Sequence, residues 1–124
     1  MILAMHHFFV RVFATGSTQA GQPLPVSFET AIAALERLPQ MFAEPDGSFV
    51  WRSPPEITPP WQVEGTLVDG GETLLYVEFK GCCPTAAWDQ LLACFSQGPT
   101  RFAFESVLEG RLLTAEELSD LHRP

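Results

Sequence analysis

Proline limits what this chain can fold into more than any other residue type. Six of its eleven prolines lie within residues 39–60. Each proline fixes its own backbone φ angle and lacks an amide hydrogen-bond donor. It also disfavours helical conformation in the residue before it. This segment therefore cannot hold a long helix, and it leaves room only for a short strand at about residues 48–51. We predict that it is the least regular part of the fold.

Regular patterns precede the proline-rich segment. Residues 6–14 form a nearly continuous apolar run rich in Phe and Val, which is typical of a strand in the middle of a sheet. Residues 15–25 are turn-rich. A helix is predicted next, with Ser27 as N-cap and Pro39 as its stop. Its apolar residues recur at helical spacing: Phe28, Ile32, Leu35 and Leu38.

The strongest local signal is a β-hairpin around Asp69, Gly70 and Gly71. A three-residue loop with Gly71 in the left-handed region sorts the two strands into an apolar and a polar face, whereas a two-residue loop mixes them. The apolar face then holds Val63, Gly65, Leu67, Leu75, Val77 and Phe79. The polar face holds Gln62, Glu64, Thr66, Glu72, Tyr76 and Glu78, with Val68 and Leu74 as apolar exceptions.

Three further elements are predicted after the hairpin. Pro84 suits the first position of a helix, and Gly98-Pro99 ends it. The apolar residues of this helix are Trp88, Leu91, Leu92 and Phe95. Residues 101–107 read as a strand, and residues 114–117 form a capping box that starts a short C-terminal helix running to about residue 122.

With the short strand set aside, the element order is βαββαβ. This order predicts a ferredoxin-like α+β sandwich, in which two helices cover one face of a mainly antiparallel sheet, with a proline-rich insertion and a short C-terminal helix. The alternative is a mixed sheet that includes the short strand as an edge. We expect a single domain over residues 1–124. A fold of this type hosts many functions.

The net charge and the cysteine content indicate which classes of partner and which cellular compartment to expect. Seven Lys+Arg against 15 Asp+Glu leave a net charge of −8, so a phosphate-binding surface would act against the protein's own field. We expect neither nucleic acid nor a membrane as a partner, and no apolar stretch approaches the ~20 residues of a membrane-spanning helix. The three cysteines cannot all pair, and the N-terminus lacks a signal-peptide pattern. We therefore expect a cytoplasmic protein.

One face of the predicted sheet is too apolar for simple exposure to water. Strand alternation sends its side chains away from the helices: His7, Phe9, Arg11 and Phe13, with Leu74 and Tyr76 from the hairpin. One explanation is that the C-terminal helix or the proline-rich segment covers these side chains within the same chain. The other is that two copies pack their sheets face to face in a homodimer, or that a ligand binds in a cleft between the two sheets.

Cysteine offers a second candidate site. Cys83 is predicted to lie at a helix N-cap, where the helix dipole stabilises a thiolate. The adjacent pair Cys82-Cys83 does not have the Cys-x-x-Cys spacing of redox proteins, and Cys94 is explained as a small core residue.

A metal site at the adjacent pairs His6-His7 and Cys82-Cys83 is disfavoured. Neighbouring strand residues point to opposite faces, so each pair could supply one ligand at most. We therefore expect neither a metal nor a cofactor.

The loop over residues 42–61 carries Phe49, Trp51 and Trp61, which either fold back as a small core or hold a partner or ligand. Glu44 and Asp46 could act as an acid–base pair, but Asp46-Gly47 also fits a plain turn.

We expect a binding or assembly domain, rather than an enzyme, whose partner at the open sheet face is a second copy of the chain or another protein. The residues expected to make the interface, or to bind a ligand, are Phe9, Arg11, Phe13, Leu74, Tyr76, Trp51 and Trp61. Two alternatives remain: a small thiol enzyme or redox protein that uses Cys83, and a carrier of a neutral small ligand in a pocket under residues 42–61.

Overall fold

Eight strands and two helices occur in residues 7–15, 20–96 and 101–113, which are the residues that the computed structural model describes. In chain order the elements are β1 (Phe8–Thr15), β2 (Ala20–Gln22), α1 (Phe28–Glu36), β3 (Met41–Ala43), β4 (Ser48–Arg52), β5 (Gln62–Asp69), β6 (Leu74–Cys82), α2 (Thr85–Ala93), β7 (Phe102–Ser106) and β8 (Arg111–Leu112).

All of the strands join one antiparallel sheet. Seven follow the order β3-β4-β5-β6-β1-β7-β8, and β2 pairs with the end of β1. The three longest strands, β5, β6 and β1, are neighbours at its centre. Strand β1 pairs with β6 on one side and with β7 on the other, as expected for the continuous apolar run in its sequence.

The ferredoxin-like βαββαβ prediction is wrong. The structure is mainly a large antiparallel sheet, in which β3 and β4 stand between α1 and β5 in the chain and extend one side of the sheet. The alternative of a mixed sheet is wrong as well, because every strand pair is antiparallel and β4 lies one strand in from the edge. The physical reason is that Pro39 and Pro45 fall just outside these strands, so neither removes a ladder hydrogen bond.

The hairpin between β3 and β4 explains the start of the proline-rich segment. The amide of Glu44 donates to the Ser48 carbonyl at 2.8 Å, and Gly47 adopts a φ of 96°. The Asp46 carboxylate accepts from the Ser48 amide at 2.9 Å and from its hydroxyl at 2.6 Å. The Asp46-Gly47 pair is therefore a turn. These hydrogen bonds from Ser48 lower the pKa of Asp46, so this carboxyl is not tuned as a general acid.

Both helices begin close to where the sequence predicts. The Ser27 hydroxyl caps α1 by accepting from the Thr30 amide at 3.1 Å, which confirms the predicted N-cap, and Arg37 ends the helix before Pro39. Helix α2 begins at Thr85 with Pro84 in the N-cap position. Pro84 is therefore one position earlier than predicted, and Cys83 lies outside the helix.

The β5–β6 hairpin follows the predicted two-face pattern with one correction. Gly71 has a φ of 105°, as the left-handed loop position requires, and Leu67 pairs with Val77. The register shifts beside Asp69, where this residue pairs with Leu74. The irregularity turns Leu74 fully into the core and leaves Leu75 43% exposed, which reverses the two predicted positions.

The core lies on one side of the sheet. Side chains of β1 alternate between buried and partly exposed, so Phe8, Val10 and Val12 point into the core. The buried residues of both helices belong to the same cluster: Ala31, Leu35, Ala87, Trp88 and Leu91.

Among the described residues, no helix is long and apolar enough to cross a membrane. The predicted C-terminal capping box and helix fall outside these residues.

Gly65→Ala should destabilise the fold by overpacking. A Cβ at this position would lie 2.0 Å from the Phe49 ring, which is itself buried and cannot move aside freely. We expect a loss of about 1–3 kcal/mol in the free energy of unfolding, measured by urea denaturation with tryptophan fluorescence. Thr66→Ser, at the exposed neighbouring position, is the control and should change it by less than about 0.5 kcal/mol. Equal stability of Gly65→Ala and the parent would contradict this account of the core.

Candidate functional site at the open face of the sheet

The face of the sheet opposite the core is called the open face here. It is formed by the side chains that alternate with the core residues on β3, β4, β5, β6, β1 and β7, and apart from Ala103, which pairs with Phe13, they are partly or fully exposed. The members used below are Phe9, Arg11, Phe13, Phe42, Ser48, Val50, Arg52, Glu64, Thr66, Val68, Tyr76, Glu78, Lys80 and Glu105.

Strand register arranges the open face in rows. The first row runs directly across five strands, through Phe42, Val50, Glu64, Lys80 and Phe9. Directly paired residues in antiparallel strands have neighbouring side chains. A row with an aromatic ring at each end and a Glu and a Lys between them therefore crosses most of the width of the sheet.

The second row is held by ion pairs around Arg11, in the middle of β1. The Arg11 Nε lies 3.2 Å from a Glu78 carboxylate oxygen on β6, and its Nη1 lies 3.5 Å from Glu105 on β7. The hydrogen bond to Glu78 is the main cause of a raised pKa for the Arg11 guanidinium. Arg11 thus bridges both neighbours of β1 and has its charge balanced within the chain.

Each open-face cation also lies near an aromatic ring. The guanidinium carbon of Arg11 is 5.3 Å from the Tyr76 ring centroid, and the Lys80 Nζ is 5.4 Å from that of Phe9. The guanidinium carbon of Arg52 is 5.8 Å from that of Phe42. These separations are within the range of cation–π attraction. The cations partly shield the rings from water and leave a mixed apolar and charged surface.

The open face is close to neutral in a strongly acidic protein. Its strands carry three cations, Arg11, Arg52 and Lys80, and three carboxylates, Glu64, Glu78 and Glu105, and a fourth carboxylate, Glu44, borders the hollow beside Phe42. The whole chain carries a net charge of −8. Most of the excess negative charge therefore lies elsewhere on the molecule.

Two shallow hollows indent this face. One, of about 350 Å³, reaches from Phe9 to Phe42, and the other, of about 430 Å³, reaches from Phe9 towards the 83% exposed Leu108. Both are lined by Glu64 and Lys80. The surface is therefore uneven and has recesses that a partner's side chains could fill.

The structure brings together four of the predicted interface residues, Phe9, Arg11, Phe13 and Tyr76. The rings of Phe13 and Tyr76 have centroids 5.0 Å apart, and Arg11 lies over Tyr76. Leu74 is not part of this surface, because the register shift buries it.

Trp51 and Trp61 are largely buried in the core, and Trp61 also lines a cleft beside the proline-rich segment. They are 3% and 8% exposed and form an edge-on pair with ring centroids 5.0 Å apart. The Trp51 indole donates to the Pro39 carbonyl at 2.8 Å.

Sequence reasoning missed Phe42, Val50, Arg52 and Lys80 as members of the open face. Phe42 is 55% exposed, and the sequence interpretation placed it in a loop. The available signal was the Glu44-Pro45-Asp46-Gly47 turn, which separates two short segments that pair as a hairpin.

Cys83 and Cys94 lack the properties of a reactive thiol. All three cysteines are free, but Cys83 has no exposed surface, and burial raises its pKa to about 12. Burial likewise raises the pKa of Cys94 to about 11. A thiol that stays protonated at neutral pH is a poor nucleophile, which argues against the Cys83 enzyme hypothesis.

Within residues 7–15, 20–96 and 101–113, no group of three or more His, Cys, Asp or Glu side chains could hold a metal ion. His6 and His122, two of the donors considered in the sequence, lie outside the described residues.

Comparison with known proteins adds no functional assignment. The chain matches no protein-family model, and neither curated proteins nor solved structures show significant similarity to it.

Cys83 should resist alkylation in the folded protein. Iodoacetamide at neutral pH should label Cys82, which is partly exposed, well before Cys83, and peptide mass spectrometry can separate the two. Labelling in urea is the control, because unfolding should make all three thiols react. Rapid labelling of Cys83 in the folded protein would restore the thiol-enzyme hypothesis.

Alkaline pH should destabilise the fold through Cys83. Its folded pKa of about 12 exceeds the ordinary value of 9.0, so above about pH 9 the unfolded chain loses a proton that the folded chain keeps. This contribution to stability is complete below about pH 9 and is lost as the pH rises towards 12, at no more than ~1.4 kcal/mol per pH unit.

Cys83→Ala should therefore show a shallower loss of unfolding free energy between about pH 8 and about pH 10 than the parent protein, measured by urea denaturation. Other titrating groups, including Cys94, are common to both proteins and cancel in the comparison. Identical slopes would contradict the buried-thiol account.

Proposed function

We propose that this protein is a binding and assembly domain that forms a homodimer through its open face. The observation that carries the proposal is the near-neutrality of this face in a chain of net charge −8. Two copies that met through their acidic surfaces would repel each other. Contact through the open face brings nearly neutral surfaces together and keeps most of the remaining charge further apart, where salt screens it over about 8 Å at physiological ionic strength.

The pattern of charges on the open face suits a copy of itself. In a two-fold dimer the same patch contacts itself, so it has to be self-complementary. Cations and carboxylates alternate along its rows, as in Glu64 beside Lys80 and in Glu78 and Glu105 on either side of Arg11. The Arg11 ion pairs are already formed within one chain, so this cation would not be left unpaired when water is excluded.

The available area is adequate for a dimer. Strands rise ~3.3 Å per residue and lie ~4.8 Å apart, so the central strands present a flat area of roughly 25 Å by 25 Å. Projecting side chains make the accessible surface larger than this flat area, and a stable interface needs roughly 800 Å² per partner. The aromatic rings of Phe9, Phe13 and Tyr76 supply apolar surface of the kind enriched at interfaces.

The three free cysteines support a reducing compartment for this protein, and we propose the cytoplasm.

Phe42→Glu should weaken the homodimer. Phe42 is 55% exposed on the open face, so a carboxylate there leaves the fold intact but replaces an apolar ring of the interface with a hydrated charged group. Light scattering after size exclusion, over a wide range of protein concentration, should give twice the chain mass for the parent and a shift towards the monomer for the variant. Tyr76→Glu, nearer the centre of the face, should shift it further.

Ala33→Glu is the matched control. Ala33 is exposed on α1, which packs against the core side of the sheet and not the open face, and the substitution adds the same charge. It should leave the mass unchanged, and circular dichroism should show that all variants remain folded. A parent that is monomeric at every concentration, or a dimer that survives both open-face substitutions, would overturn the proposal.

A further inference from the structure

A further cleft of about 460 Å³ lies between the proline-rich segment and one end of the central strands, and Arg52 lies where this cleft meets the open face. Its apolar wall includes Pro54, Ile57 and Trp61, and its polar groups include Arg52 and Gln62. This volume is within the range of small-molecule sites, which combine mainly apolar walls with a few placed polar groups.

The cleft differs from the rest of the molecule in charge. The chain has 15 Asp and Glu residues, yet none of those that the structure describes lines this cleft, while Arg52 does. His7 lies at the same site and is exposed. A cation without a lining carboxylate favours an anionic ligand group, and the apolar wall favours an apolar body attached to it.

Arg52 is oriented by its neighbours on the sheet. It is the last residue of β4, where its backbone pairs with Gln62 of β5, and its Nε donates to the Gln62 side-chain oxygen at 3.2 Å. A guanidinium has five N–H donors. Gln62 takes one of them, and the others make no hydrogen bond to the described residues. They remain available for a planar, two-oxygen acceptor such as a carboxylate.

Two hydrogen bonds between Ser53 and Trp61 hold the wall of the cleft in place. The Ser53 amide donates to the Trp61 carbonyl, and the Trp61 amide donates to the Ser53 hydroxyl, both at 3.0 Å. Ser53 is buried, and the Trp61 ring is fixed by its contact with Trp51. The site is thus largely formed before a ligand arrives, which reduces the entropy lost on binding.

We propose that this cleft binds a small organic carboxylate with an apolar body, with the carboxylate on Arg52 and the body against Ile57, Pro54 and Trp61. A single arginine among apolar walls suits one carboxylate better than a phosphate, which sites usually hold with several donors. The proposal does not depend on dimerisation through the open face.

Phenylacetate and its neutral analogue phenylacetamide test the proposal directly. Each is titrated into isotope-labelled protein, and two-dimensional NMR follows the Trp61 indole and the Gln62 amide. Phenylacetate should bind saturably and at least about tenfold more tightly than the amide, because a hydrogen-bonded charge pair adds to the shared apolar contact. Arg52→Gln should bring the affinity for the acid down to that for the amide, and Arg52→Lys should retain part of the difference.

Arg37→Gln is the matched control, because it removes the same charge from an exposed position at the end of α1, outside the cleft. It should leave the preference for the acid unchanged. Equal affinities for acid and amide, an acid preference that persists in Arg52→Gln, or shifts centred on Lys80 and Phe9 of the open face would overturn the proposal. Repeating the titration with Tyr76→Glu, which lies beside Arg11 and outside the cleft, separates this outcome from any failure of the dimer.

Discussion

The fully buried ring of Phe79 makes the contacts on which the rest of the structure depends. It lies edge-on to Phe49 of β4, to Trp88 of α2 and to Phe95 just beyond α2, with ring centroids 6.0, 5.3 and 5.7 Å away. Through these contacts, β4 and α2 pack against the centre of the sheet. Space for the Phe49 ring exists because the residue paired with Phe79 is Gly65, which has no side chain.

The same strands that build this core also build the open face. Because successive strand residues point to opposite sides, fixing Phe79 in the core fixes Glu78 and Lys80 on the other side. The residues that pack into the core on one face thus determine which residues lie on the other face. On that second face, ion pairs and cation–π contacts replace hydrophobic packing, and they balance the local charge in an otherwise acidic molecule.

Local patterns predicted more of this structure than long-range ones did. Ser27 and Gly71 were predicted correctly because capping and positive φ depend on a few neighbouring residues. The predicted position of Leu74 was wrong, because a register shift beside Asp69 depends on how two whole strands align. For the candidate site, Phe9, Arg11, Phe13 and Tyr76 followed from strand alternation, whereas Phe42 required knowing that residues 41–43 pair with β4.

The amino-acid sequence by itself determined the period-two pattern of the central strands, the helix caps, the turn glycines and the excess of negative charge, because each of these depends on residue type and short-range spacing. Only the tertiary structure decided the strand order, the enclosure of Cys83, Trp51 and Trp61, and the cleft beside Arg52. These features arise from contacts between residues far apart in the chain. Burial, and with it the pKa of a thiol or the access to an indole, is set by the atoms that surround a group in space, and those atoms come from several elements at once.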